Sequence, residues 1–406
     1  MPPLTMATAD AFLRQLYKPK MVNSLVYKDR PLLALMPKEE GFFGRNMPIV
    51  AEYADPAGRS QVFATAQLNA TGSSFEDFLL TRVHDYGVTQ VDGEVYDATI
   101  SDAGAFFQAM PNQINGILNA VANNLHVMMY RNGSGIRGTV AGGTGTAILT
   151  LTNAEDSKYF ERNMSIDGAT GAGAPHGTPG VIGGIDRNLG TLTIAAGVWN
   201  AAILNGDLLF VEGDYTAAAS VNMVSGLEAW VPAAAPGAGL FFGVNRTQDI
   251  TRLGGLRQAA FAGLVEEALV NGANLVASHG GTPSHCFLNY TNYQDLVNSL
   301  GAKANYEMTK SSHMGLNGYV GFEGVTIIGP KGPIKVIPDI ACQLDVAWML
   351  QLDTWVLASI GKAPRILQRD GNRFLRVNNQ DQLEVRTGYY ANVGCKCPGF
   401  NARIAL

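Results

Sequence analysis

The longest run of helical periodicity lies at residues 101–131, and it limits how the rest of the chain can fold. Apolar residues recur there at three- and four-residue steps, which places them in one stripe along a helix while most asparagines fall off that stripe. Ser101 is a suitable N-cap, and Gly133 and Gly135 follow the last apolar turn as stop signals. Pro111 cannot donate a backbone hydrogen bond. The sequence therefore predicts one long helix with a break or kink at Pro111.

Extended segments precede this helix. The pattern predicts strands at 47–53, 61–66 and 75–86, and the polar segment 68–74 separates the last two. Residues 88–100 continue as extended chain into the helix. The sequence therefore predicts a long hairpin with a polar tip.

The composition changes after the helix, where the chain becomes rich in Gly, Thr and Ala. Short strands are predicted at 147–152, 181–185, 191–195 and 208–212. Short strands at even spacing with little helical periodicity indicate a small barrel or sandwich inserted as its own module.

A mixed α and β region follows from about residue 221. The pattern predicts an amphipathic helix at 256–271 and a buried strand at 285–289, and Thr291 with Gln294 forms a capping box for the next helix. Near the C-terminus, strands are predicted at 374–377 and 382–390 as a hairpin.

Composition and charge exclude several classes of protein. A chain of 406 residues with 47% hydrophobic content can bury a substantial core in two or three domains. Lys and Arg number 29 against 34 Asp and Glu, and this net charge of -5 gives no basic surface for wrapping nucleic acid. Only 16% of residues are charged, so we expect surface shared with neighbours. No signal peptide and no membrane-spanning run is found, so we expect a protein made and kept in the cytoplasm.

The chain has four cysteines: Cys286, Cys342, Cys395 and Cys397. They are too few and too scattered for a disulfide framework or a zinc site, which favours free thiols. His279, His285 and Cys286 could be a metal site or a Cys/His nucleophile pair, but their spacing favours a loop histidine beside a buried strand cysteine. We therefore predict no catalytic residue, no cofactor and no metal site.

The order of these elements and several local groups of residues form a pattern over nearly the whole chain. These groups are Pro31, Leu32 and Leu33 with Met36 and Pro37; 44–49; 63–66; Phe75; 86–88; the helix at 101–131 ending in 133–135; and Asp353, Thr354 and Trp355. The pattern resembles the major capsid protein of tailed bacteriophages, the Hong Kong 97 type fold, which bacterial encapsulin shells and the herpesvirus capsid floor share. The resemblance covers nearly all of the chain except the β-rich module.

The resemblance implies an α+β chain of the Hong Kong 97 type, with an inserted small all-β domain. The implied parts are an N-terminal arm at 1–40, an extended loop at 41–86, a peripheral domain with the spine helix at 87–135, the inserted β-rich domain at 136–215, an axial domain at 216–365 and a C-terminal return to the peripheral domain at 366–406. No long charged helical segment precedes the arm, so we expect any scaffolding protein to be a separate chain.

The function implied is that of a shell protein without enzymatic activity. It would assemble with itself into hexamers and pentamers, in the host cytoplasm, to form the icosahedral head of a virion. Expected partners are separate scaffolding, portal and decoration proteins and packaged double-stranded DNA contacted non-specifically, with no membrane partner. The alternatives are an encapsulin-like compartment that holds a cargo enzyme, and a β-rich virion hydrolase or glycan-binding protein that uses the inserted module.

The extended loop and the apolar patch near residue 32 are the expected subunit contacts. A two-stranded ribbon is marginal alone in water, and buried aromatic residues dominate interface energetics, so we expect the loop to find support on a neighbour. The predicted interface residues are Leu32, Leu33, Arg59, Phe63, Phe75, Phe78 and Arg82. The two arginines are expected to pair with a neighbour's carboxylates.

Overall fold

The structure is a computed structural model that describes residues 26–98, 109–171, 173–217, 220–261, 263–301, 325–368, 371–372, 374–378 and 380–406. Most of the predicted N-terminal arm lies outside the described residues. The chain divides into two compact units. As far as they are described, the smaller unit holds 26–29, 86–121 and 365–388, and the larger unit holds 30–85, 122–364 and 389–406. The predicted domain boundaries remain predictions.

The α-helices assigned in the described residues are α1 Pro31–Leu35, α2 Phe63–Leu68, α3 Gly93–Ala98, α4 Ala109–Met128, α5 Leu227–Trp230, α6 Val265–Ser278 and α7 Tyr290–Gly301. The strands assigned there are β1 Lys38–Glu39, β2 Asn46–Ala54, β3 Ser74–Thr81, β4 Val83–Asp92, β5 Ile136–Gly142, β6 Ile148–Leu151, β7 Ser165–Ala169, β8 Gly180–Asp186, β9 Thr191–Ile194, β10 Leu208–Val211, β11 Leu240–Phe241, β12 Val244–Asn245, β13 Leu256–Gln258, β14 His285–Leu288, β15 Val325–Gly329, β16 Gly332–Pro338, β17 Val346–Leu350, β18 Trp355–Ser359, β19 Arg365–Ile366, β20 Leu375–Arg376, β21 Gln382–Cys395 and β22 Ala402–Ala405.

The described part of the predicted long helix is α4. Residues on both sides of Pro111 are helical, so the helix is not interrupted at Pro111 within the described residues. Residues 101–108 of the prediction lie outside the described residues. Beyond the helix, Gly133 and Gly135 both adopt φ of 90°, a left-handed conformation that suits glycine. The predicted N-cap, Ser101, lies outside the described residues.

A six-stranded sheet in the order β13-β22-β17-β14-β16-β15 forms an apolar core in the larger unit, with α6 packed on it. The predicted helix at 256–271 is wrong in its first half, because Leu256–Gln258 pairs parallel with β22 and the helix begins at Val265. Tertiary pairing here overrides the helical periodicity. The predicted capping box is also corrected. The side chain of Asn289, just before α7, accepts a hydrogen bond from the Thr291 amide at 3.0 Å.

A second sheet in the larger unit is built on β18. All five of its residues are buried, which is typical of a strand covered on both faces. It pairs antiparallel with the 391–395 part of β21 and parallel with β1.

The smaller unit contains the start of β21 and the short strands that pair with it. β19 and β20 both pair antiparallel with β21. The β20–β21 pair is the predicted C-terminal hairpin. Val91 and Val385 form a small core there with partly buried Ile114, Ile366 and Leu383.

The β-rich segment closes into a barrel in the order β10-β5-β6-β9-β8-β7. Its interior is a continuous apolar core that includes Phe160 and Trp199, both essentially inaccessible to solvent. Trp199 Nε1 donates to Leu192 O at 3.1 Å. The four predicted strands are all present, while β5 and β7 were not predicted because glycines and charged residues interrupt their apolar alternation.

The extended hairpin consists of β2 and β3, which pair antiparallel along nearly their whole length. The predicted strand at 61–66 is wrong, because Phe63–Leu68 is α2. Its sequence, FATAQL, contains good helix formers, and the Ala66 amide donates to Val62 O at 2.9 Å. The predicted strand at 75–86 is two strands, β3 and β4.

Candidate subunit interface

The tip of the extended hairpin exposes a group of large apolar side chains. Phe63 is 81% exposed, Leu68 86%, Val62 59% and Phe75 57%. No residue of α2 is buried. We call these four residues the loop-tip surface. Several exposed large apolar residues within one short segment are typical of an interaction site, whereas isolated ones are not.

The base of the same hairpin is buried within the chain. Phe78 is fully inaccessible, and its ring lies 5.1 Å from that of Trp230 and 6.4 Å from that of Phe241. Because side chains alternate along a strand, Phe75 and Phe78 point to opposite faces of β3. Phe78 therefore stabilises its own chain, which differs from the expected interface role.

Three other predicted interface residues also have partners inside the chain. Leu32 and Leu33 are 0% and 8% exposed, because α1 packs both leucines into the larger unit. Arg82 donates to Phe42 O at 2.7 Å, and its guanidinium lies 5.1 Å from the Phe42 ring centre. Leu32 and Leu33 are therefore buried within the single chain and Arg82 is bonded within it, while the interface roles of all three stay predictions. Arg59 is exposed, as are Phe63 and Phe75.

The arrangement of His279, His285 and Cys286 does not suit nucleophilic chemistry. Cys286 lies in the buried sheet, and burial raises the pKa of its thiol to about 12, so the thiol stays protonated at neutral pH. His285 Nδ1 lies 2.9 Å from Ser284 Oγ, and burial together with Lys335 lowers its pKa. His279 Nδ1 lies 3.0 Å from Leu275 O at the end of α6. The three residues have local structural partners.

A buried polar cluster that the sequence did not reveal joins α4 to the chain after β16. His126 Nε2 lies 2.9 Å from Asp339 Oδ2, and the Tyr130 hydroxyl donates to the same oxygen at 2.7 Å. The Ala341 amide donates to Asp339 Oδ1 at 2.9 Å. Burial, with the negative charge of Asp339, raises the pKa of Tyr130. Both oxygens of the carboxylate are paired, as expected for a structural role in a core.

Two further observations concern the described residues only. No three of their His, Cys, Asp and Glu side chains come together in a way that could hold a metal ion. None of the helices in the described ranges combines the length and the apolar character that crossing a bilayer requires.

Comparison with solved structures identifies the fold. A chain from the capsid asymmetric unit of cyanophage A-1(L) matches with a TM-score of 0.57 and 12% identity, over 99% of this chain and 99% of that one. A capsid chain of an empty GTA particle matches with a TM-score of 0.50 and 8% identity, over 99% and 98%. This chain has a phage capsid fold. Each of these two matches spans 99% of this chain.

Comparisons of the sequence alone found no match. No protein-family model matches it, and no curated protein matches it. At these identities the structural comparison shows the capsid fold alone.

Proposed function

We propose that this chain is the major capsid protein of a tailed bacteriophage. Its copies assemble through hexamers and pentamers into the icosahedral head that encloses the double-stranded DNA genome, and the protein resides in the virion. The observation that carries the proposal is the capsid fold over 99% of both compared chains. The role is structural and not enzymatic, because a shell needs contacts between copies and no chemistry.

The Hong Kong 97 type architecture belongs to the same proposal. In it, α4 is the spine helix, the β2–β3 hairpin is the extended loop, and the sheet containing β14 and β17 forms the axial domain. The barrel is the inserted domain. Arg137 and Asp214, at its two ends, support this because Arg137 Nη2 and Asp214 Oδ2 lie 3.7 Å apart, so the barrel enters and leaves the rest of the chain at one place.

The loop-tip surface is the proposed contact with a neighbouring copy. Phe63 and Phe75 supply apolar area that its own chain leaves exposed, and exposed Arg59 lies nearby in sequence as a rim charge. Burying aromatic side chains at the centre of an interface contributes most of its binding energy, while rim charges contribute little. We therefore assign Phe63 and Phe75 as anchors and Arg59 as a peripheral contact.

Other partners follow from this role. A shell of this kind requires a portal and a scaffold, which we propose are separate proteins, and decoration proteins that bind the finished head. The net charge of -5 suits non-specific contact with packaged DNA, because an acidic wall does not retain the genome that it must release.

Electron microscopy of the purified full-length protein tests the function. We expect closed particles of uniform size, and particles taken from infected cells should contain nucleic acid. Particles that enclose a protein cargo would instead indicate an encapsulin-like compartment. A small soluble oligomer that remains open at every protein and salt concentration would contradict a shell function.

A further inference from the structure

A buried arginine lies where the barrel meets the second half of α4. Arg137, in β5, is 4% exposed. Its Nη1 donates to Tyr159 O at 2.8 Å and its Nη2 donates to Asn124 Oδ1 at 2.7 Å. Asn124 belongs to α4, so this one guanidinium connects the start of the barrel to the helix. A buried arginine needs such partners, because an unpaired buried charge is costly.

The carboxylate of Asp214 is a counter-charge near Arg137, but its geometry does not favour a hydrogen bond. Asp214 follows β10, and its side chain is only 17% exposed. Its Oδ2 lies 3.7 Å from Arg137 Nη2, beyond good hydrogen-bond distance, and this buried oxygen has no hydrogen-bond partner among the described residues. The Asp214 amide donates to Val211 O at 2.9 Å, and the backbone at Gly135 passes so close that a Cβ there would lie 2.4 Å from Asp214 O. The carboxylate thus loses water without gaining a hydrogen bond at Oδ2.

Other polar groups face the same place from neighbouring elements. Asp85 Oδ2, on β4, accepts a hydrogen bond from Asn124 Nδ2 at 2.7 Å. The buried Tyr389 hydroxyl, on β21, has no hydrogen-bond partner in the part of the chain that the structure describes. Arg131, just before β5, has its Nη2 3.7 Å from Oδ1 of Asp156, which lies between β6 and β7.

The balance of these effects favours the protonated form of Asp214. Burial raises its pKa to about 6, and Asp85 adds to the rise while Arg137 opposes it. Burial also raises the pKa of Tyr389, and the nearby Asp85 and Asp214 charges raise it further. The loss of water around the Asp214 carboxylate therefore outweighs its attraction to a guanidinium already bonded to Asn124 and Tyr159.

We propose that Asp214 is a proton-binding site at the end of the barrel. Its carboxylate is ionised at neutral pH and takes up a proton in mildly acidic solution, and this protonation stabilises the contact between the barrel and α4. A neutral carboxyl group no longer carries a poorly solvated charge, and it gains an O–H donor. The proton comes from solvent, because the side chain is partly exposed. All of the residues involved belong to one chain, so this proposal does not depend on whether the chain assembles into shells.

The direction of the pH effect follows from linkage. An unfolded aspartate has a pKa of about 3.9, below the folded value of about 6. The folded state therefore binds the proton more tightly than the unfolded state does. The contribution of Asp214 to stability is fully present below about pH 4 and is lost as the pH rises through about 6.

Thermal melting of unassembled full-length subunits from pH 4.5 to 8 tests the proposal. The variant Asp214→Asn mimics the protonated form, so at pH 7.5 it should melt at a higher temperature than the wild type. This difference should shrink as the pH falls through about 6 and approach zero near pH 4.5. Asp295→Asn, which removes an exposed carboxylate on α7, is the matched control and should show no such step.

Hydrogen exchange of the wild type supplies an independent measurement in case Asp214→Asn does not fold. Protection factors in β5 and β10 should rise when the pH is lowered from 7.5 to 5, relative to those in β14 and β17. A melting difference that does not vary with pH would overturn the proposal. So would protection in β5 and β10 that falls on acidification, because the ion pair with Arg137 would then be the dominant effect.

Discussion

The barrel and the extended hairpin are both made of antiparallel strands, but they differ in how far they bury their apolar side chains. The barrel closes on itself and encloses an apolar core around Trp199, so its strands need no external partner. The hairpin has only two strands, and while Phe78 at its base is buried, Phe63 and Phe75 towards its tip are exposed.

In the proposed shell, this difference favours the hairpin tip over the barrel as the region that contacts another copy. A closed barrel has no free strand edge, and this one encloses an apolar core of its own. A two-stranded ribbon is marginal by itself, and its tip gains stability when another surface covers it. In the proposed shell, the hairpin tip is therefore the part that changes most on assembly.

The largest expected effect is in the barrel. Trp199→Ala should lower the free energy of unfolding of the subunit by about 3 to 5 kcal/mol, because it removes a fully buried ring and leaves a cavity. Urea denaturation of unassembled subunits measures this. A loss below about 1 kcal/mol would show that the barrel core can collapse around the missing ring, and the contrast with the hairpin would then fail.

The smallest expected effect on the subunit is at the loop tip. Phe63→Ala and Phe75→Ala should each change its unfolding free energy by no more than about 0.5 kcal/mol, as surface substitutions do, yet reduce the yield of closed particles. Phe78→Ala is the matched control on the same strand as Phe75, and it should cost about 3 to 5 kcal/mol because that ring is buried. Urea denaturation and particle counts by electron microscopy give the two readouts. Normal particle yields from both tip variants would remove Phe63 and Phe75 from the interface.

The sequence predicts those elements of the fold whose signals are local. The apolar stripe of α4, its glycine stop signals and four barrel strands were each predicted from periodicity and turn residues. Elements set by tertiary pairing were not. Leu256–Gln258 has helical periodicity, but it pairs with β22, which lies about 150 residues further along the chain.

The candidate interface shows the same limit. Sequence identified the hairpin and its aromatic residues, but a one-dimensional pattern did not separate Phe75, which faces solvent, from Phe78, which packs on Trp230. That separation depends on the register of β3 and on a ring more than 150 residues away. The buried Arg137 and Asp214 were missed for a related reason, because 77 residues separate them in the chain while 3.7 Å separates their side chains.

Hydrogen exchange of free subunits and of closed particles, compared peptide by peptide, tests the central claim most directly. We expect peptides covering 62–75 to become strongly protected on assembly, because a neighbouring copy covers the loop-tip surface. Peptides from the barrel strands β6 and β9 should keep the protection that they already have in the free subunit. Loop-tip peptides that exchange as fast in closed particles as in free subunits would contradict the proposal that this surface joins the copies.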